Sequence, residues 1–184
     1  MDFLSKINTQ NIPKHVAVIM DGNGRWAKKQ GKSRIFGHKN GVKAVKETIV
    51  AAGNAGVKAL TLYAFSTENW KRPETEIKTL MTLLVTSLKN EAKDLIKNNI
   101  KLQVIGNQNH LPEIVRKGLN KVIEQTKNNT VLTLTIALSY GSREEIVNAF
   151  KNIAKKVVNN DLSVEEINEN IINNHLYTFT LPDV

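Results

Sequence analysis

Asp21-Gly22-Asn23-Gly24-Arg25-Trp26 is the segment best equipped for chemistry. It follows His15-Val16-Ala17-Val18-Ile19-Met20, a run rich in β-type apolar residues that stops abruptly at the acid. The pattern predicts a buried strand whose carboxyl end feeds a tight loop and the first turn of a helix. Open α/β sheets bind their ligands at such junctions. Gly22 and Gly24 let the chain approach closely, so the loop can present backbone N–H groups to an anion. A carboxylate is out of place in a pure anion site unless a divalent cation sits between the two. The segment therefore points to metal–diphosphate chemistry, with Asp21 on the metal.

A second junction mirrors the first. Tyr63-Ala64-Phe65 ends an apolar run and is followed by Ser66-Thr67-Glu68-Asn69-Trp70-Lys71-Arg72-Pro73. A third polar cluster, Ser139-Tyr140-Gly141-Ser142-Arg143, follows the apolar run 131–138. Arg34 and His38 stand at the entry to a helical segment between the first two. In a parallel sheet these junctions share one edge. One acid, several arginines, a histidine and two tryptophans then gather on a single rim. Each has a plainer reading: Trp26 and Trp70 as covers for the sheet edge, Arg72 as a surface arginine, His38 as a structural histidine. The set carries more weight than any member, because unrelated surface residues need not gather at strand ends.

These residues need elements to position them. Apolar runs predict strands over 16–20, 59–65, 101–105 and 131–138. Helical patterns fill 24–30, 38–55, Pro73 to about 98, Leu111 to about 129, and 142–158. Val42, Val45, Ile49 and Ala52 share one face of the second of these. Ser163 reads as the N-cap of a last helix reaching about Asn174. Thr180–Val184 reads as the approach to another strand. Strands spaced by helices define an α/β fold, a single mostly parallel sheet with helices on both faces.

The 184 residues fit one domain. There is no cysteine, which excludes disulfides, thiolate metal sites and cysteine nucleophiles and fits a reducing compartment. No apolar run approaches the roughly 20 residues of a membrane span, and Met1–Gln10 lacks signal-peptide character. The expected location is cytoplasmic. A net charge of +9 draws anions. Aromatics make up only 5% of the chain, too few for a stacking surface, so phosphate capture is expected rather than nucleic-acid binding.

The segments His15–Lys28, Arg34–Gly41, Leu60–Pro73 and Tyr140–Arg143 resemble the cis-prenyltransferases, most of all the bacterial undecaprenyl diphosphate synthases. The resemblance runs from Ile12 onward. It implies condensation of isopentenyl diphosphate onto an allylic diphosphate such as farnesyl diphosphate, each new double bond being cis. The product would be a polyprenyl diphosphate lipid-carrier precursor. It further implies Mg²⁺ on Asp21. Gly22, Asn23, Gly24 and Arg25 would cradle phosphate oxygens, with Arg34 and His38 beside them and Trp26 as a further substrate-binding residue. Ser66, Thr67, Glu68, Trp70 and Arg72 would contribute to holding the homoallylic partner. Asn69 is placed at the proton-loss step, where a neutral amide is a weak base and is better suited to orienting a water or the diphosphate. The growing product needs an apolar tunnel between sheet and helices, for which Leu80, Met81, Leu83, Leu84, Val85 and Leu88 are candidates, with Ala64 opposite. A homodimer in the complete form and peripheral membrane contact for product release are also implied.

The sequence departs from the family pattern in two places. Ser139-Tyr140-Gly141-Ser142-Arg143 stands where Asn-Tyr-Gly-Gly-Arg is usual, which makes Ser142 a candidate helix N-cap. After a segment like Leu181-Pro182-Asp183 the family continues into an Arg/Ser/Gly/Glu block that binds isopentenyl diphosphate and adds a second acid for Mg²⁺. Residues 1–184 thus read as one cis-prenyltransferase-like domain, C-terminally truncated and without the family's last strands and helices. The alternative is a non-catalytic prenyl-diphosphate-binding or partner subunit.

Overall fold

The computed structural model describes residues 6–183. Its centre is a four-stranded parallel sheet of β1 (His15–Ile19), β2 (Ala59–Ser66), β3 (Ile100–Ile105) and β4 (Leu132–Tyr140), in the order β1-β2-β4-β3. The helices are α1 (Asn23–Lys29), α2 (Arg34–Ala55), α3 (Glu74–Lys97), α4 (Glu113–Thr126), α5 (Ser142–Val158) and α6 (Glu169–Asn173).

Alternation along the strands sorts the side chains into two layers. Leu60, Leu62, Leu102, Leu134 and Leu138 face one side and meet Val45 and Ile49 of α2, Met81 and Leu88 of α3, and Leu119 of α4. Thr61 and Thr135 alternate with these leucines and are also buried. On their side the buried His15 ring donates Nδ1–H to the Pro182 carbonyl, 2.7 Å away. Its Nε2 lies 2.7 Å from the Thr61 hydroxyl, so both ring nitrogens are partnered. Glu145 of α5 ties in the same region, accepting from the Tyr140 hydroxyl at 2.6 Å and from the Tyr177 N–H at 2.7 Å.

The β3 edge is covered rather than left open. Thr126 of α4 accepts from the Leu102 N–H at 3.0 Å, and Asn129 donates to the Ile100 carbonyl at 2.8 Å. Side chains thus replace a missing neighbour strand.

Four local expectations are corrected. The second helix starts at Arg34 and not at His38, because the Ser33 hydroxyl accepts from the Phe36 N–H and caps it. Ser142 is the first residue of α5 and not its cap; Gly141 takes the cap position with no side-chain bond. A Cβ there would stand 2.7 Å from Thr67 Oγ1, so close packing selects glycine. The expected helix from Ser163 is broken. A capping box closes a single 3₁₀ turn over Val164–Glu166, and α6 begins afresh behind a second cap, Asn168. Residues 180–183 are turn and bend and not strand; Val184 lies outside the described residues.

Candidate active site

The carboxyl ends of β1 and β2 open into a cleft of about 690 Å³. Asp21, Gly22, Asn23, Gly24 and Arg25 line it from the first junction, Arg34 and His38 from α2, and Ser66, Glu68, Asn69 and Arg72 from the second junction. The structure therefore brings together eleven of the fourteen residues singled out from sequence. The other three stand outside the lining. Trp26 stacks on Phe36 with ring centroids 6.1 Å apart, Thr67 packs against Gly141, and Trp70 meets the Phe65 ring edge-on at 4.9 Å. The Trp70 indole N–H donates to Ser139 Oγ at 2.9 Å, which pins the second junction to the end of β4.

Local chemistry shapes each junction. Gly22 has φ +87, the left-handed region that disfavours a side chain, and from there the chain turns directly into α1. Gly37 lets α1 lie against α2, since a Cβ on it would stand 2.1 Å from the Asn23 carbonyl oxygen. Gly24 lies under the Arg34 side chain. In the second junction a capping box folds residues 67–71 into a 3₁₀ turn. Asn69 Oδ1 accepts from the Ser66 N–H at 3.2 Å. The amide oxygen is thereby engaged, and the NH₂ is the end left to donate.

Asp21 Oδ1 accepts from the Gly22 N–H at 2.5 Å, and its Oδ2 pairs with Arg25 at 2.8 Å. The Asp21 side chain is 71% exposed, so the ion pair itself contributes little to stability. No group of three or more metal-type side chains occurs among the described residues. The donor set still fits Mg²⁺, which is commonly held by one or two carboxylates together with substrate phosphates and water.

Sequence reasoning missed Glu76. It lies behind the cleft with its side chain 12% exposed and gathers three of the predicted substrate-binding residues. Arg72 Nη1 donates to Oε1 at 3.1 Å, His38 Nε2 lies 3.6 Å from the same oxygen, and Arg34 Nη1 lies 4.0 Å from Oε2. The available signal was the i,i+4 spacing from Arg72. His38 Nε2 is buried and just beyond hydrogen-bond reach of the carboxylate. Burial holds the His38 pKa below its ordinary 6.5; Glu76 opposes this, while Arg72 and Arg34 add to it.

Behind the polar cleft lies an apolar cavity of about 260 Å³ between the sheet, α2 and α3. The two spaces share Met20, Asn23, His38, Ala64, Phe65 and Leu80 as walls. The expected linings Leu83, Leu84 and Leu88 face the cavity as well, whereas Val85 does not. The pairing register between β2 and β4 shifts on both sides of Phe65, immediately beside Ala64. Such irregularities re-aim side chains next to binding sites.

An arginine-lined rim beside an apolar cavity suits a molecule with a diphosphate head and a hydrocarbon tail. The family model "Putative undecaprenyl diphosphate synthase" matches residues 19–184. A ditrans,polycis-undecaprenyl-diphosphate synthase of Vibrio parahaemolyticus is 47% identical over 98% of this chain and 72% of its own length. The chain belongs to the undecaprenyl diphosphate synthase family of prenyltransferases. An isoprenyl transferase of Clostridium perfringens is 45% identical over all of this chain and 76% of its own length. Among solved structures, lavandulyl diphosphate synthase from Lavandula x intermedia, in complex with dimethylallyl diphosphate, superposes with a TM-score of 0.88 at 34% identity. The match covers 90% of this chain and 71% of that one. The family thus accounts for both the parallel sheet and the paired junctions at its carboxyl edge.

Proposed function

We propose that this chain condenses isopentenyl diphosphate onto an allylic diphosphate such as farnesyl diphosphate, forming cis double bonds and yielding a polyprenyl diphosphate. The observation that carries the reading is that the arginine-lined cleft and the apolar cavity adjoin and share walls. One end fits the diphosphate and the other the prenyl chain.

In the reaction the allylic carbon–oxygen bond breaks, the alkene of the second substrate bonds to that carbon, and a proton leaves. Developing charge on the departing diphosphate needs fixed positive groups in a shielded site. Arg25, Arg34 and Arg72 supply them, and their planar forks bind two phosphate oxygens at once. Asp21 would hold Mg²⁺, which would supply charge neutralisation for the leaving diphosphate. The Ser66–Arg72 segment would orient the homoallylic partner, with Thr67 and Trp70 supporting it from outside the cleft. Asn69 would donate from its NH₂ to a water or a phosphate oxygen, its carbonyl oxygen being committed to the turn.

A homodimer belongs to the same reading: Ile146, Val147 and Phe150 of α5 are exposed, an apolar surface of the kind a second copy covers. Cytoplasmic action with product release at a membrane surface is its last element. No helix among the described residues is long and apolar enough to cross a membrane.

The test is incorporation of labelled isopentenyl diphosphate in the presence of Mg²⁺. Wild-type protein is expected to form labelled prenyl diphosphates. Asn69→Asp keeps the acceptor that closes the turn but removes the donor, so turnover should fall roughly a hundredfold, the cost of one catalytic hydrogen-bond donor. Prenyl-diphosphate binding without incorporation by the wild type would replace the reaction with the non-catalytic alternative. Normal turnover of Asn69→Asp would remove the amide from the mechanism.

A further inference from the structure

Glu76 is a carboxylate set behind the cleft among Arg34, His38 and Arg72, and nothing in the reaction asks for a negative charge there. It is nearly buried, and its two oxygens are shared among Arg72, His38 and Arg34 at 3.1, 3.6 and 4.0 Å. These three residues come from two helix starts. Arg34 and His38 stand one turn apart at the beginning of α2; Arg72 and Glu76 are four residues apart across the start of α3.

A carboxylate and a phosphate oxygen ask the same thing of an arginine, a charge-assisted and often forked hydrogen bond. Any diphosphate that takes Arg72 and Arg34 must draw them from Glu76. We propose that Glu76 is an internal counter-ion that competes with diphosphate for Arg34, His38 and Arg72. This rests on the reading of the cleft as a diphosphate site.

Two consequences follow from the competition. The carboxylate holds the two arginines and the histidine side by side, which would otherwise repel one another. It also weakens diphosphate binding, since part of each new contact replaces one already present. A site that must release diphosphate after every condensation gains from this, because the carboxylate takes the arginines back as the anion departs. Glu76 is thus a positioning residue, acting on the anion only through the cations it holds.

The sign of its effect on binding separates this role from a purely structural one. A scaffold residue that aligns the arginines should, once neutralised, leave them misplaced and binding weaker. A competing counter-ion, once neutralised, should leave binding tighter. The measurement is the dissociation constant of inorganic diphosphate, without metal and at about 0.15 M salt, where long-range charge effects are screened. Wild type is compared with Glu76→Gln, Glu76→Asp and Glu74→Gln. The last removes an equal charge from an exposed position on the same turn, where Glu74 pairs with Lys78.

Glu76→Gln is expected to bind diphosphate about tenfold more tightly, the equivalent of about 1.4 kcal/mol. Glu76→Asp, which holds the cations less closely, should bind about threefold more tightly, and Glu74→Gln should stay within about twofold of wild type. The His38 imidazole, followed by NMR, should shift with added diphosphate in each variant that binds. Weaker or unchanged binding by Glu76→Gln overturns the counter-ion role and leaves the cleft reading standing. Equal tightening by Glu74→Gln also overturns it, by reducing the effect to net charge. No diphosphate binding by any variant overturns the cleft reading and the counter-ion with it. Thermal unfolding of Glu76→Gln shows whether the variant is folded; Glu76→Asp reports in its place if it is not, because a shorter carboxylate loosens its hold on the cations without removing the charge, and weaker or unchanged binding there overturns the proposal.

Discussion

His38 is held between opposing influences, and its protonation links the site to stability. Burial disfavours the imidazolium, Glu76 favours it, and burial prevails, so the folded-state pKa lies below the ordinary 6.5. The unfolded chain therefore binds the proton more readily than the folded one. Stability rises with pH wherever the unfolded state binds more protons. The contribution of His38 is thus complete above about pH 6.5 and is lost as pH falls through the depressed folded value. Urea unfolding across this window should show wild type losing stability toward the acid side. His38→Gln should lose less, because it cannot take up the proton. A parallel loss in both proteins would assign the acid sensitivity to another group. Diphosphate adds negative charge beside the ring and should raise its pKa, so ligand and acid stability are coupled through this one side chain.

The contact between α1 and α2 shows how an element places a site, and it turns on one missing side chain. A Cβ on Gly37 would stand 2.1 Å from the Asn23 carbonyl oxygen and 3.0 Å from Ala27 Cβ. Gly37→Ala raises helix propensity by about 1 kcal/mol. Overpacking costs about 1–3 kcal/mol, and here the obstructing atom is backbone, which has no rotamer to give. The clash should prevail. We expect a lower melting temperature together with weaker diphosphate binding, since Asn23 and the loop before it must move. An unchanged affinity in the destabilised variant would detach the loop geometry from this helix contact. The strands, the helix order and the two main junctions were legible in the sequence, because apolar runs and their polar stops are local signals. The start of α2 was misplaced by four residues, because a single serine cap outweighed the apolar periodicity used to set it. The last helix was read too long, because two caps in succession, Ser163 and Asn168, resemble one helix with a polar first turn. Glu76 was missed because its partners converge from two helices, and only the i,i+4 link to Arg72 is written in local spacing.

The whole molecule sets a length scale that no single element carries. The apolar cavity of about 260 Å³ lies between sheet, α2 and α3, and a growing prenyl chain must run from the cleft into it. Ala64 stands where the two spaces meet, beside the irregular pairing of β2 with β4. Its small side chain takes little room at that shared wall. Ala64→Leu adds three carbons at the mouth, opposite Leu80 and beside Met20, both of which line the same two spaces. Two effects then compete. Overpacking lowers stability by about 1–3 kcal/mol and reduces the amount of active protein. Narrowing obstructs the advance of the chain and acts only after the first condensations have filled the near part of the cavity. The first lowers all products in proportion; the second shifts the distribution toward shorter ones. Chromatography of the labelled prenyl products, resolved by chain length, separates the two. We expect a clear shift to shorter products at a melting temperature still above that of the assay. A uniform loss with the distribution unchanged would show that Ala64 serves only the packing of the sheet, and that the length of the product is set deeper in the cavity, where α2 and α3 close over Leu102 and Leu134.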